Sequence, residues 1–125
     1  MDKLLYKDLS YKLCGLAFQI DNEIGFGQEE KVYADALEKL LQNEKIDYKR
    51  ELYCPITIDS EVVKKKYLDF LIDDKIVIEL KVSNYNYRDA CSQLFKYLKN
   101  NNVKLGLIFR FTRNGVKVKR IPNIQ

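Results

Sequence analysis

Tyr67-Leu68-Asp69-Phe70-Leu71-Ile72-Asp73-Asp74-Lys75-Ile76-Val77-Ile78-Glu79-Leu80-Lys81 is the stretch on which the fold turns. Two runs rich in branched and aromatic residues, Lys66–Ile72 and Lys75–Val82, flank the polar turn Asp73-Asp74-Lys75, which predicts a β-hairpin. Side chains alternate faces along a strand. Val77, Glu79 and Lys81 therefore share one face, and Ile76, Ile78 and Leu80 the other. On the preceding strand Tyr67, Asp69 and Leu71 share a face, opposite Leu68, Phe70 and Ile72. A three-residue turn pairs Ile72 with Ile76 and sets Asp69 opposite Glu79, with Cβ atoms about 5 Å apart. A two-residue turn would shift the register and split the pair. Carboxylates this close repel, and burial makes the repulsion costly unless a cation compensates. Both can reach one ion at about 2.0–2.1 Å, the oxygen distance of Mg²⁺. Lys81, one step further along, can orient or deprotonate a water or stabilise charge on a phosphate. Two carboxylates, a hard metal ion and a lysine are the equipment for hydrolysing a phosphodiester.

Outward from the hairpin, the apolar residues change period. Leu9, Leu13, Leu16, Ile20 and Ile24 follow helical spacing, predicting a helix over 10–23, stopped by Gly25-Phe26-Gly27. A second helix is expected over 28–43, with Glu30 in its first turn, where the helix dipole favours a carboxylate whatever the function. Strands follow at 48–53, 56–58 and 62–64, the last two joined by a turn at Asp59-Ser60. After the Asp69/Glu79 hairpin, 86–100 returns to helical spacing. Val103–Phe111 is a strongly apolar strand, and Asn114-Gly115 turns the chain into a last strand over 116–121. A helix between strands requires a crossover and at least one parallel pair.

At 125 residues, one domain covering 1–125 is expected. No apolar stretch approaches the roughly 18 residues of a membrane span, and the run Met1–Asp8 is too charged for a signal peptide, so a cytoplasmic protein with no membrane partner is the expectation. Histidine is absent, which removes His-based triads, metal sites and general bases. The three cysteines, Cys14, Cys54 and Cys91, form no CxxC pair and read as small buried or half-buried thiols. Net charge is +4, but eight of the 22 basic residues and none of the 18 acidic ones fall in 90–125. That asymmetry, with Lys64-Lys65-Lys66, suits contact with a polyanion backbone. Lys96, Arg110 and Lys119 belong to this basic set. On the helix over 86–100, Gln93 and Tyr97 are four apart and share a face. The glutamine can bond the lysine, a water or a phosphate, and the tyrosine can stack or donate to a phosphate oxygen.

Together these residues resemble a known family. Gly27-Gln28-Glu29-Glu30-Lys31-Val32-Tyr33 matches the signature of the GxxExxY proteins, small members of the PD-(D/E)xK nuclease superfamily. The match continues through Asp69, Val77-Ile78-Glu79-Leu80-Lys81, Gln93–Leu98, Lys104–Ile108 and Val118–Ile121. The resemblance implies a restriction-endonuclease-like α/β core, a central mixed sheet flanked by helices. It implies a Mg²⁺ or Mn²⁺ site on Asp69, Glu79 and the carbonyl of Leu80, with Glu30 completing it and Lys81 as the lysine of the motif. Gln93 and Tyr97 look like the QxxxY element of RecB-type nucleases. Leu68 replaces the superfamily proline, Asp21 stands where relatives often carry histidine, and Arg110 where many carry asparagine. None of these changes removes a metal ligand.

The function expected is metal-dependent cleavage of nucleic acid, DNA first, with weak sequence specificity, because so small a core has little surface for reading bases. A homodimer or a partner protein is expected to complete it. The alternative is a nuclease-like fold kept as a non-catalytic nucleic-acid- or protein-binding module.

Overall fold

The structure is a computed structural model and describes residues 5–84 and 86–124. The first four residues of the charged N-terminal run lie outside these. The order is α1 (Lys7–Ile24), α2 (Glu30–Asn43), β1 (Tyr48–Tyr53), β2 (Ile56–Ile58), β3 (Glu61–Lys64), β4 (Tyr67–Ile72), β5 (Ile76–Lys81), α3 (Tyr87–Asn100), β6 (Leu105–Thr112) and β7 (Gly115–Pro122). Every element expected from periodicity is present, with ends displaced by a few residues; α1 starts at Lys7 rather than Ser10.

A five-stranded sheet in the order β1-β4-β5-β6-β7 forms the centre. The β5–β6 pair is parallel, and the other neighbours are antiparallel. Helix α3 supplies the crossover that a parallel pair requires. One face of the sheet packs on α1 and α2 through Leu13, Leu16, Leu37, Leu41, Ile76, Ile78, Leu80 and Phe109. The other face packs on α3 through Val77, Leu94, Leu98 and Ile108. β5 and β6 are apolar on both faces because helices cover both.

Two contacts set the helices in place. Tyr33 is fully buried and stacks on Phe111, with ring centroids 4.1 Å apart. Its hydroxyl donates to the Gly25 carbonyl at 2.6 Å and accepts from the Gln28 N–H at 3.2 Å. The loop before α2 is thereby tied to the core, and with it the start of the helix that carries Glu30. On the opposite face, Gly106 lets α3 settle on β6. A Cβ at Gly106 would lie 2.9–3.1 Å from the side chain of Leu94.

Side-chain alternation breaks in one place. Leu68 belongs to the α3-side core while Phe70 and Ile72 belong to the other, so Leu68 does not share their face. The same change occurs across the ladder, where Leu52 packs on the α3 side and Tyr48 on the other. Between the two pairs lies Glu51 with φ of 64°, in the left-handed region. A residue in that conformation is not extended and re-aims the side chains beyond it.

Candidate metal and phosphodiester site

The register Ile72↔Ile76, Leu71↔Val77, Phe70↔Ile78 is the one a three-residue turn dictates. The β4–β5 ladder then ends, although both strands continue. β4 stays paired with β1 to Tyr67↔Tyr53, and β5 stays paired with β6 to Lys81↔Arg110. The sheet forks there, and each arm would lose ladder bonds. Two carboxylates take their place. The Asp69 N–H donates to Glu79 Oε1 at 2.9 Å, and the Leu80 N–H donates to Asp69 Oδ2 at 2.7 Å. Each acid thus caps the backbone of the opposite strand, and the pair is held in place by the divergence of the sheet.

Burial, reinforced by the neighbouring Asp69 carboxylate, holds the Glu79 carboxyl at about 9, far above the usual carboxylate range. Without a cation, Glu79 keeps its proton at neutral pH. Glu30, at the first position of α2, lies 3.9 Å through Oε2 from Lys81 Nζ. Burial pushes its carboxyl up as well, while Lys81 opposes the shift. An open cleft of about 420 Å³ beside the pair is lined by Glu30, Asp35, Glu51 and Asp69 together with Lys31, Ala34 and Arg50.

Asp69, Glu79, Leu80, Lys81 and Glu30 therefore meet around the fork. Gln93 and Tyr97 do not line the cleft of Asp69. They line a second cleft of about 520 Å³ between α3 and the end of β1, with Tyr53, Cys54 and Lys96. The Gln93 amide donates to Cys54 Sγ at 3.5 Å, and Cys54 lies within electrostatic reach of Glu79. The glutamine thus faces the fork from the α3 side. Lys64, Lys65 and Lys66 lead from β3 into β4. Arg110 is in register with Lys81; its guanidinium lies 4.7 Å over the Tyr87 ring and donates to Asn84 Oδ1. Lys119 is not brought to the fork. It sits on the edge strand β7 in register with Ile108, which is itself in register with Glu79, two strands away.

The sequence reading missed Arg50 and Glu51. Arg50 bonds Asp35 and Glu38 at 2.9 and 2.8 Å and so ties β1 to α2 beside the cleft. A charged Lys49-Arg50-Glu51 run inside a strand was the available signal.

A family model matches residues 7–121, and it is that of the PD-(D/E)XK nuclease superfamily. The chain belongs to the PD-(D/E)XK nuclease superfamily. The five-stranded mixed sheet flanked by helices is the restriction-endonuclease-like fold of that superfamily. The solved structure of SSO0001 is similar in fold, with a TM-score of 0.55 and 22% identity over 96% of this chain. This chain spans 58% of that one. Among curated proteins no match is found.

PD-(D/E)XK nucleases generally use divalent metals, and the donor set here meets part of that need. One oxygen of each acid is fixed by a backbone N–H, and the two carboxyls also bond to each other through the proton on Glu79. A cation would take the place of that proton, and hard oxygen donors suit Mg²⁺ or Mn²⁺. Among the described residues, however, no three histidine, cysteine, aspartate or glutamate side chains converge tightly enough to form a cage by themselves. Glu30 is held back toward Lys81. A Mg²⁺ ion bound by few protein ligands ordinarily completes its shell with waters and substrate phosphate oxygens. The residues present fit that mode of binding. Among the described residues no helix is long and apolar enough to cross a membrane.

Proposed function

We propose that this chain is a Mg²⁺- or Mn²⁺-dependent nuclease, acting first on DNA with weak sequence specificity, in the cytoplasm and as one domain. The observation that carries the reading is the reciprocal capping of Asp69 and Glu79 at the fork, with Lys81 alongside, in a chain of the PD-(D/E)XK superfamily. The reading is supported by the resemblance of Gly27–Tyr33 to the signature of the GxxExxY proteins, small nucleases of that superfamily.

Asp69, Glu79, the Leu80 carbonyl and Glu30 would hold the ion. A divalent cation there supplies Lewis acidity and a bound water of lowered pKa. The lining of four carboxylates repels a phosphodiester until positive charge is placed among them. Lys81 stabilises charge on the phosphate, and Glu30 keeps its ammonium aimed at the fork. Gln93 positions water or phosphate from the α3 side, and Tyr97 and Lys96 guide the strand through the second cleft. Lys64, Lys65, Lys66, Arg110 and Lys119 hold flanking phosphates. So small a core is expected to act as a homodimer or beside a partner protein.

The test is incubation with plasmid, single-stranded DNA and RNA in Mg²⁺ or Mn²⁺, beside Lys81→Ala and Asp69→Asn. Each variant is expected to lose at least about 100-fold in rate. Equal activity in all three proteins overturns the assignment.

A second reading is a non-catalytic binding module on the same fold, favoured by Glu30 lying 3.9 Å from Lys81 instead of closing on Asp69 and Glu79. Calorimetry separates the two. A nuclease binds Mg²⁺ or Mn²⁺ in a way that Asp69→Asn abolishes; a module binds nucleic acid at low salt without it.

A further inference from the structure

The β1–β4 ribbon runs past the carboxylates. Beyond the fork it stays paired through Leu52↔Leu68 and Tyr53↔Tyr67, and the Cys54 N–H still donates to the Lys66 carbonyl at 2.8 Å. Leu52 and Leu68 turn into the α3-side core, while the tyrosines next to them stay half-exposed at the end of the ribbon, where Tyr53 borders the cleft that Gln93 and Tyr97 line. The Tyr53 and Tyr67 rings form a cross-strand pair with centroids 5.4 Å apart and planes at 49°. They are 49% and 52% exposed, and neither belongs to an apolar core. Lys64, Lys65 and Lys66 immediately precede Tyr67, and Asp69 follows two residues after it, about 7 Å along the strand.

We propose that the Tyr53–Tyr67 pair, with the lysines beside it, is a platform on which unpaired bases of a single-stranded nucleic acid stack, delivering that strand to the fork. The identity of the polyanion rests on the nuclease reading above. Half-exposed phenol rings offer flat faces to which any base can stack, and adjacent lysines take the phosphates. Bases in a duplex stack on one another and have no free face for the tyrosines, so the platform selects single strands or frayed ends. The hairpin β2–β3 also exposes Ile56, Ile58, Val62 and Val63, which invites docking of a second copy. The run of three lysines at its exit opposes that, because two copies would bring like charges together, whereas a polyanion is drawn to them.

The test is fluorescence anisotropy with a labelled oligothymidylate and a duplex of equal length, in EDTA so that binding is read without metal-dependent hydrolysis. Tyr53→Leu and Tyr67→Leu, which keep apolar bulk but lose the flat ring, are expected to weaken single-strand binding about 5- to 150-fold each. Tyr67→Phe restores it, and duplex binding is unchanged. Lys64→Ala and Lys65→Ala reduce the slope of log affinity against log salt by about 0.7 each; the tyrosine variants leave it alone. The proposal is overturned if the leucine variants, folded by circular dichroism, bind the single strand like wild type, or lose duplex affinity equally. It is also overturned if sedimentation shows a dimer that Tyr67→Leu dissociates while oligonucleotide affinity stays the same. A chain that binds through the tyrosines yet never cleaves in Mg²⁺ or Mn²⁺ removes the nuclease reading and leaves the platform. A chain that cleaves while its tyrosine variants bind and cleave like wild type removes the platform and leaves the nuclease.

Discussion

Glu79 carries the largest electrostatic burden of any residue at the fork. Its carboxyl, raised from an ordinary 4.5 to about 9 by burial and by Asp69, takes up a proton on folding at neutral pH. The stability this group contributes is fully present below its unfolded value and is lost as pH rises toward 9. Metal-free protein is therefore expected to melt at progressively lower temperature between pH 5 and pH 9. Glu79→Gln, a neutral near-isostere able to hold the same backbone bond, is expected to flatten that slope and to abolish the response to Mg²⁺. Differential scanning calorimetry in EDTA across that pH range checks it. A variant whose melting temperature still falls as wild type does would show that another group titrates. Asp69 and Glu79 were legible in the sequence because a turn of three residues fixes their register. The reciprocal caps were not legible, since they arise only where the strands part.

At the scale of elements, the site depends on how α2 and α3 are anchored. The Tyr33 hydroxyl, bonded to Gly25 and Gln28, fixes the entry to α2 and hence the position of Glu30. Tyr33→Phe keeps the stacking on Phe111 and removes those bonds. It is expected to cost about 1 kcal/mol by denaturant unfolding and to lower the proposed cleavage activity more than that loss accounts for. Gly106 is the seat of α3. In Gly106→Ala the new methyl meets Leu94, which is fully buried and has nowhere to retreat. An overpacking cost of about 1–3 kcal/mol is expected, read as a lower denaturant midpoint with unchanged slope. Helical and strand periods located these elements; the break in alternation at Glu51 escaped them. A strand pattern assumes continuous extension, and the left-handed Glu51 stands where Leu52 leaves the face of Tyr48, with Leu68 changing face across the ladder from it.

Across the whole molecule, an acidic cleft lies apart from basic segments, a division that suits the proposed handling of a polyanion. On the proposed function, the lining carboxylates need a cation before phosphate approaches, while the lysines of the hairpin and of 90–125 would draw the strand in. Ion binding is coupled to protons, because Glu79 must release one to ligate. Mg²⁺ is therefore expected to bind more tightly as pH rises from 6 to 8.5. Its binding should release close to one proton at the low end, measurable by calorimetry in buffers of different ionisation enthalpy. Affinity independent of pH would mean that Glu79 is not a ligand.

By itself, the sequence determined the element order and the pairing of Asp69 with Glu79 and Lys81 on condition of a three-residue turn, while Glu30 joined them only through the family resemblance. Those follow from local periods, from turn length and from a resemblance to a known signature. Only the tertiary structure decided that Gln93 and Tyr97 open onto a separate cleft, that Lys119 stands two strands off, and that Tyr53 and Tyr67 meet beyond the fork. Each of those placements depends on where paired strands separate and which face a helix covers, and that is settled by packing between segments distant along the chain.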